Sequence, residues 1–137
     1  MILGLGHDIC DMRRIAKIRA RFGARFEAQI LTQAELAEMQ SRQPARQDAY
    51  LALRFAAKEA VYKAFAKLDQ SGLCWQDCEV ISGGGAPSCH LTGRAGAILA
   101  NSLPAGMEPD IHLSLSDEYP YASAMVIFSM RPQVNET

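Results

Sequence analysis

Long apolar runs are missing from this sequence. Its longest largely apolar stretch, Tyr121 to Phe128, has eight residues, against the roughly 20 that a membrane-spanning helix needs. No membrane span is expected. Met1 to Asp8 carries no basic leader and too short an apolar stretch for a secretory signal, so a cytoplasmic location is the expectation. Cysteine is scarce: Cys10, Cys74, Cys78 and Cys89 are the four, and no two form a Cys-x-x-Cys pair. No two histidines stand at zinc-finger spacing. Free, mostly buried thiols are expected rather than a metal–thiolate centre. A Gly-x-Ser-x-Gly elbow and a Walker-type phosphate loop are missing too. Gly83-Gly84-Gly85 runs on to Pro87 rather than to Lys-Ser/Thr, and reads as a turn.

What is present suits one soluble globular domain spanning residues 1–137, with 49% hydrophobic and 21% charged residues. The pattern predicts a short buried strand over Ile2–Gly6. A helix follows with Met12, Ile15, Ile18, Phe22 and Phe26 on one face, and Gly23 as its weak point. Asp8 and Asp11 are both candidate N-caps. Thr32 with Glu35 three residues on predicts a capping box and a second helix. A long third helix is expected from about Arg46 to Leu68, its core face Leu53, Ala57, Ala60, Val61, Ala64 and Leu68. The period then changes. Strands are expected at Cys78–Ser82, Ser88–Leu91, Asp110–Ser116 and Ala122–Met130, the last two paired as a hairpin, with a small helix over Gly93–Leu103. The predicted class is α+β: a small antiparallel sheet packed against a long helix.

Several polar residues could carry chemistry. Phe55, Glu59 and Lys63 share one stripe of the long helix, and Arg54, Lys58 and Tyr62 an adjacent one. Both stripes are expected off the core face. A carboxylate among such cations suits a divalent ion with a phosphate, since Mg²⁺ takes carboxylate oxygens and lets substrate phosphates fill its octahedron. The same spacing also describes an ordinary surface i,i+4 pair. Asp8, following Gly4-Leu5-Gly6, could bind a cation or cap a helix. His112 shares the polar side of its strand with Ser114 and Ser116; that side faces either solvent or a phosphate. Between residues 13 and 25 lie Arg13, Arg14, Lys17, Arg19, Arg21 and Arg25, with no acid among them. This surface could be merely solvated, or could meet nucleic acid or an acidic protein. Net charge is only −1 and no base-reading motif accompanies the patch, so nucleic acid is the weaker choice.

Taken together, the motifs resemble the holo-acyl-carrier-protein synthase family of 4'-phosphopantetheinyl transferases. Gly4-Leu5-Gly6-His7-Asp8-Ile9 resembles its Gly-x-Gly-x-Asp-(Ile/Leu) block. Arg54-Phe55-Ala56-Ala57-Lys58-Glu59-Ala60-Val61-Tyr62-Lys63-Ala64-Phe65 resembles its Phe-Ala-x-Lys-Glu-Ala-x-x-Lys-Ala signature. Ile30-Leu31-Thr32 with Glu35-Leu36, and His112-x-Ser114-Leu115-Ser116-Asp117-Glu118, match in order and spacing. The resemblance implies Asp8 and Glu59 as Mg²⁺ ligands, with Glu59 and Lys63 catalytic. It implies Arg54, Lys58, Lys63 and His112 as coenzyme A contacts, and Arg14, Arg21 and Arg25 as the surface that meets an acyl carrier protein. It also implies a homotrimer with sites between subunits, and a place in fatty acid biosynthesis. The family's Gly-Thr-Gly after the lysine helix is replaced by Ala66-Lys67-Leu68-Asp69-Gln70-Ser71-Gly72. A catalytically weak carrier-binding homologue is the alternative that this change supports.

Overall fold

Two glycines decide how the sheet meets the long helix. In the computed structural model, which describes residues 1–134, strand β1 (Ile2–Asp11) crosses helix α4 (Pro44–Ala64). A Cβ on Gly4 would run into the carbonyl of Ala64, and one on Gly6 into the carbonyl of Ala60. With only hydrogens on the strand and alanines on the helix, the two backbones touch directly. The close approach that these glycines permit is therefore to another backbone.

Chain order is β1, α1 (Met12–Phe22), α2 (Ala24–Ile30), α3 (Gln33–Ser41), α4, a 3₁₀ turn (Trp75–Asp77), β2 (Cys78–Ile81), β3 (Ser88–Leu91), α5 (Gly93–Asn101), β4 (Met107–Glu118) and β5 (Tyr121–Pro132). One antiparallel sheet has the order β1-β5-β4, and β2-β3 forms a separate hairpin. Helix α4 packs on one side of the large sheet, burying Ala56, Ala57, Ala60, Val61 and Ala64 against Ala122, Ala124, Val126 and Phe128. Phe65 meets Phe128 edge to face at 4.9 Å. The α+β class, with its small sheet against a long helix, is as expected.

Boundaries and faces differ in informative ways. β1 runs on to Asp11 instead of stopping at Gly6, because its whole length pairs with β5, from Ile2 opposite Ser129 to Asp11 opposite Tyr121. It is not buried on both sides: Ile2, Leu5 and Ile9 are exposed. Asp8 lies inside the strand and caps nothing; Asp11 is the N-cap of α1 and accepts from the Arg13 backbone N–H at 2.9 Å. Gly23, at φ +54°, splits the expected first helix into α1 and α2. Phe22, beside that break, is exposed rather than in the core. The Thr32–Glu35 capping box forms. Pro44 opens α4 at its first turn, where the missing N–H costs nothing. The helix ends at Ala64, not Leu68, and unwinds through three-residue turns such as Leu68 N–H to Phe65 O at 2.8 Å. Cys74 is exposed, against the expectation of buried thiols; Cys10 and Cys78 are buried and all four are free.

Candidate active site

The glycine contact sets the position of Asp8. With β1 held directly on α4, the Asp8 side chain reaches the last turns of that helix. Lys63 Nζ donates to Asp8 Oδ1 at 3.0 Å and to the His7 carbonyl at 3.1 Å. Asp8 is mostly covered, at 14% exposure, whereas Lys63 is 52% exposed. Glu59, one turn before Lys63, makes no hydrogen bond or ion pair among the described residues. Burial raises its carboxyl above the ordinary value, and the Asp8 carboxylate raises it further; Lys63 and Arg14 oppose both. Two carboxylates thus repel each other beside a half-exposed lysine. A cation placed there would relieve the repulsion.

No group of three or more His, Cys, Asp or Glu side chains able to hold a metal occurs among the described residues. Two carboxylates are too few for a structural zinc site. They are what Mg²⁺ commonly takes from a protein when phosphates and water supply the rest. Asp8 and Glu59 therefore fit a magnesium ion shared with a substrate.

Lys58 and Arg54 correct the expectation that their stripe lies off the core. Lys58 is buried, and its three protons go to Glu35 Oε1 at 2.6 Å, the Ile30 carbonyl at 2.7 Å and the Trp75 carbonyl at 3.2 Å. An ammonium has three donors, so none is left for coenzyme A. Glu35 is satisfied in turn by the Thr32 and Val80 backbone N–H groups, at 2.8 and 3.0 Å. Arg54 is buried too. Its guanidinium lies 3.9 Å from the Tyr50 ring centre and donates to Ser82 Oγ at 2.5 Å. Its stem is enclosed and its Nε has no hydrogen-bond partner among the described residues. Both residues tie α4 to its neighbours.

The sheet register separates His112 from Asp8. His112 pairs with Ile127, which pairs with Leu5; Asp8 pairs with Ala124. Strand side chains alternate, so Asp8 faces α4 and His112 points to the opposite, open side. There it meets Ser129 Oγ at 3.2 Å and Asp110 Oδ2 at 3.3 Å. One chain does not bring His112 to the carboxylates. The basic residues also divide. Arg14 stacks on Phe55 at 5.6 Å and is near enough to Glu59 to oppose its raised carboxyl. Arg21 and Arg25 lie farther along, beside Phe22, with Arg25 lining a groove of Ile18, Phe22, Phe26 and Gln29. Arg19 is committed to Asp48 and Gln47.

Sequence patterns missed one feature. A cavity of about 220 Å³ opens beside Glu59, walled by Tyr62 and Phe65 of α4, by Leu73, Cys74 and Trp75, and by Ala95 of α5. Trp75 stacks on Phe55 at 5.3 Å. The one signal in the sequence was the apolar triplet Leu73-Cys74-Trp75 inside an otherwise polar connection.

Residues 4–122 match the family described as the 4'-phosphopantetheinyl transferase superfamily. The chain is 47% identical to the holo-[acyl-carrier-protein] synthase of Paramagnetospirillum magneticum over 133 residues, covering 96% of this chain and 99% of the relative. It is 44% identical to that of Agrobacterium fabrum, covering 96% and 98%. Among solved structures, it resembles holo-[acyl-carrier-protein] synthase from Neisseria meningitidis, with TM-score 0.78, 32% identity and coverage of 94% and 99%. It also resembles the synthase from Bacillus anthracis in complex with CoA (3',5'-ADP), with TM-score 0.73, 29% identity and coverage of 93% and 96%.

Proposed function

The chain belongs to the 4'-phosphopantetheinyl transferase superfamily, and on that premise we propose that it moves the phosphopantetheine arm of coenzyme A onto a serine of an apo-acyl carrier protein. The reaction would need Mg²⁺ and release 3',5'-ADP. The observation that carries this reading is the Asp8–Glu59–Lys63 cluster: two acids near enough to repel each other, beside a half-exposed ammonium that is paired with one of them. Relatives named holo-[acyl-carrier-protein] synthase, and the solved complex with CoA, supply the substrate class.

The chemistry follows from the side chains. The serine oxygen attacks the β-phosphorus of coenzyme A, and the bond from that phosphorus to the bridging oxygen breaks. Asp8 and Glu59 would hold the Mg²⁺, which would supply Lewis acidity toward the diphosphate worth several kcal/mol. Lys63 turns from Asp8 toward the departing phosphate and neutralises it. The serine proton leaves to Glu59 or to a water held by Asp8. Arg14, Arg21 and Arg25 present positive charge to an acidic carrier, Arg14 nearest the carboxylates. Of Arg54, Lys58, Lys63 and His112, Lys63 is the one left to meet coenzyme A beside the carboxylates of its own chain.

A homotrimer supplies His112. The side of the sheet away from α4 exposes Leu5, Ile9, Tyr121 and Met125 together, and such an apolar surface calls for a partner. A second copy packed there would carry its His112 to the neighbour's diphosphate.

The test is direct. The chain is incubated with apo-carrier protein, coenzyme A and Mg²⁺, and the carrier is weighed by mass spectrometry. A gain equal to one phosphopantetheine arm is expected. Carrier binding without that gain would sink the transferase reading in favour of a carrier-binding homologue.

A further inference from the structure

Of the seven residues that stand where the family has Gly-Thr-Gly, the last four, 69–72, are held down by α5. Arg94, the second residue of that helix, donates from Nη2 to Asp69 Oδ2 at 2.8 Å and to Ser71 Oγ at 2.9 Å, and from Nε to the Ser71 carbonyl. Asp69 Oδ1 in turn accepts from the Ser71 N–H and hydroxyl, at 2.9 and 2.6 Å. Gln70 Nε2 donates to the Tyr62 carbonyl at 2.8 Å, near the end of α4. Gly72 has φ +71°, and a Cβ there would press on the Arg94 side chain at 3.0 Å; only glycine suits both the backbone and the space. A second latch follows. Asp77 accepts from the Cys74 N–H at 3.3 Å and the Ala95 N–H at 3.4 Å.

This chain of contacts runs from Tyr62, near the end of α4, to Cys74 and Ala95, which with Leu73 wall the cavity beside Glu59. Arg94 and Asp69 do not line that cavity. We propose that Arg94 is a positioning residue for coenzyme A: by strapping residues 69–72 to α5, it fixes the cavity wall in its ligand-binding shape before coenzyme A arrives. Without the strap the loop is ordered only on binding, and that ordering is subtracted from affinity. The lost interaction falls on ground-state binding, so the serine transfer step itself keeps its rate. The proposal rests on coenzyme A occupying this cavity, and so deepens the transferase reading.

The experiment measures coenzyme A affinity by calorimetry on the full chain with Mg²⁺, and steady-state transfer to carrier protein, for wild type, Arg94→Ala, Asp69→Ala and the double variant. Each single variant should weaken coenzyme A binding, and raise its KM, by roughly three- to tenfold. Both should keep kcat and the carrier KM within about twofold. The double variant should be no worse than Arg94→Ala alone, because one strap is lost only once. Undiminished affinity in Asp69→Ala, which is exposed enough to fold normally, would overturn the strap, and so would full additivity. Wild-type chain that binds coenzyme A without transferring the arm would sink the transferase reading while the affinities still decide the strap. Wild-type chain that fails to bind coenzyme A would sink both.

Discussion

Lys58 and Glu59 are neighbours on α4, about 100° apart around its axis, yet their surroundings are opposite. Lys58 points into the junction of α3, the 3₁₀ turn and β2, where it and Glu35 are each 1% exposed and every donor is matched. Glu59 has no hydrogen-bond or ion-pair partner among the described residues, and the Asp8 carboxylate adds to burial in raising its carboxyl. A satisfied buried pair holds shape and offers a ligand nothing. Two like charges near each other, one of them without a partner among the described residues, destabilise the protein slightly and gain when a cation enters. Side by side, the two show how one helix carries both the scaffold and the proposed reactive groups.

The largest expected effect lies on the buried side. Lys58→Ala should lower the free energy of unfolding by about 3–5 kcal/mol, since Glu35 is left charged and enclosed; denaturant melts measure it. Replacing both partners, as Lys58→Met with Glu35→Leu, should recover much of that loss. If Lys58→Ala instead melts like wild type and raises the KM for coenzyme A, the contrast between the neighbours fails. Next comes the exposed side. Glu59→Ala should slow transfer by roughly a hundred- to a thousandfold, several kcal/mol on the barrier, while circular dichroism and melting stay close to wild type. The smallest effect sharpens the comparison with an exposed ion pair. The Arg13 side chain, followed by the Arg13 backbone N–H, holds the Asp11 carboxyl down at about 2. A depressed folded value means that stability is present above the ordinary value near about 4 and is lost as pH falls through the folded one. Asp11→Ala should therefore melt below wild type at neutral pH, and the gap should close as pH falls toward about 2.

Much of this was legible in the sequence, for physical reasons that differ by residue. The Thr32–Glu35 box and the β4–β5 hairpin depend on neighbours close in the chain, so local patterns expose them. The Gly4 and Gly6 contact was foreseeable in kind, since glycine in a strand admits close approach. Lys58 was not. Its partner Glu35 is 23 residues upstream, and a charged residue on a core face breaks the apolar period that signals burial. His112 shows another limit. Alternation along β4 told which residues share a side; only the packing of α4 decides which side is open. Arg94 could not be read at all, because its proposed role depends on a loop 23 to 25 residues upstream.

A magnesium titration of transfer tests the central claim most directly. Wild type and Glu59→Gln are stripped with a chelator, then given coenzyme A, apo-carrier protein and increasing Mg²⁺, with modified carrier counted by mass. Wild type should be silent without the ion and recover fully with it, while the variant, folded but lacking one charge, stays slow throughout. Full transfer by metal-free wild type, or a variant that matches it at equal Mg²⁺, would contradict the account.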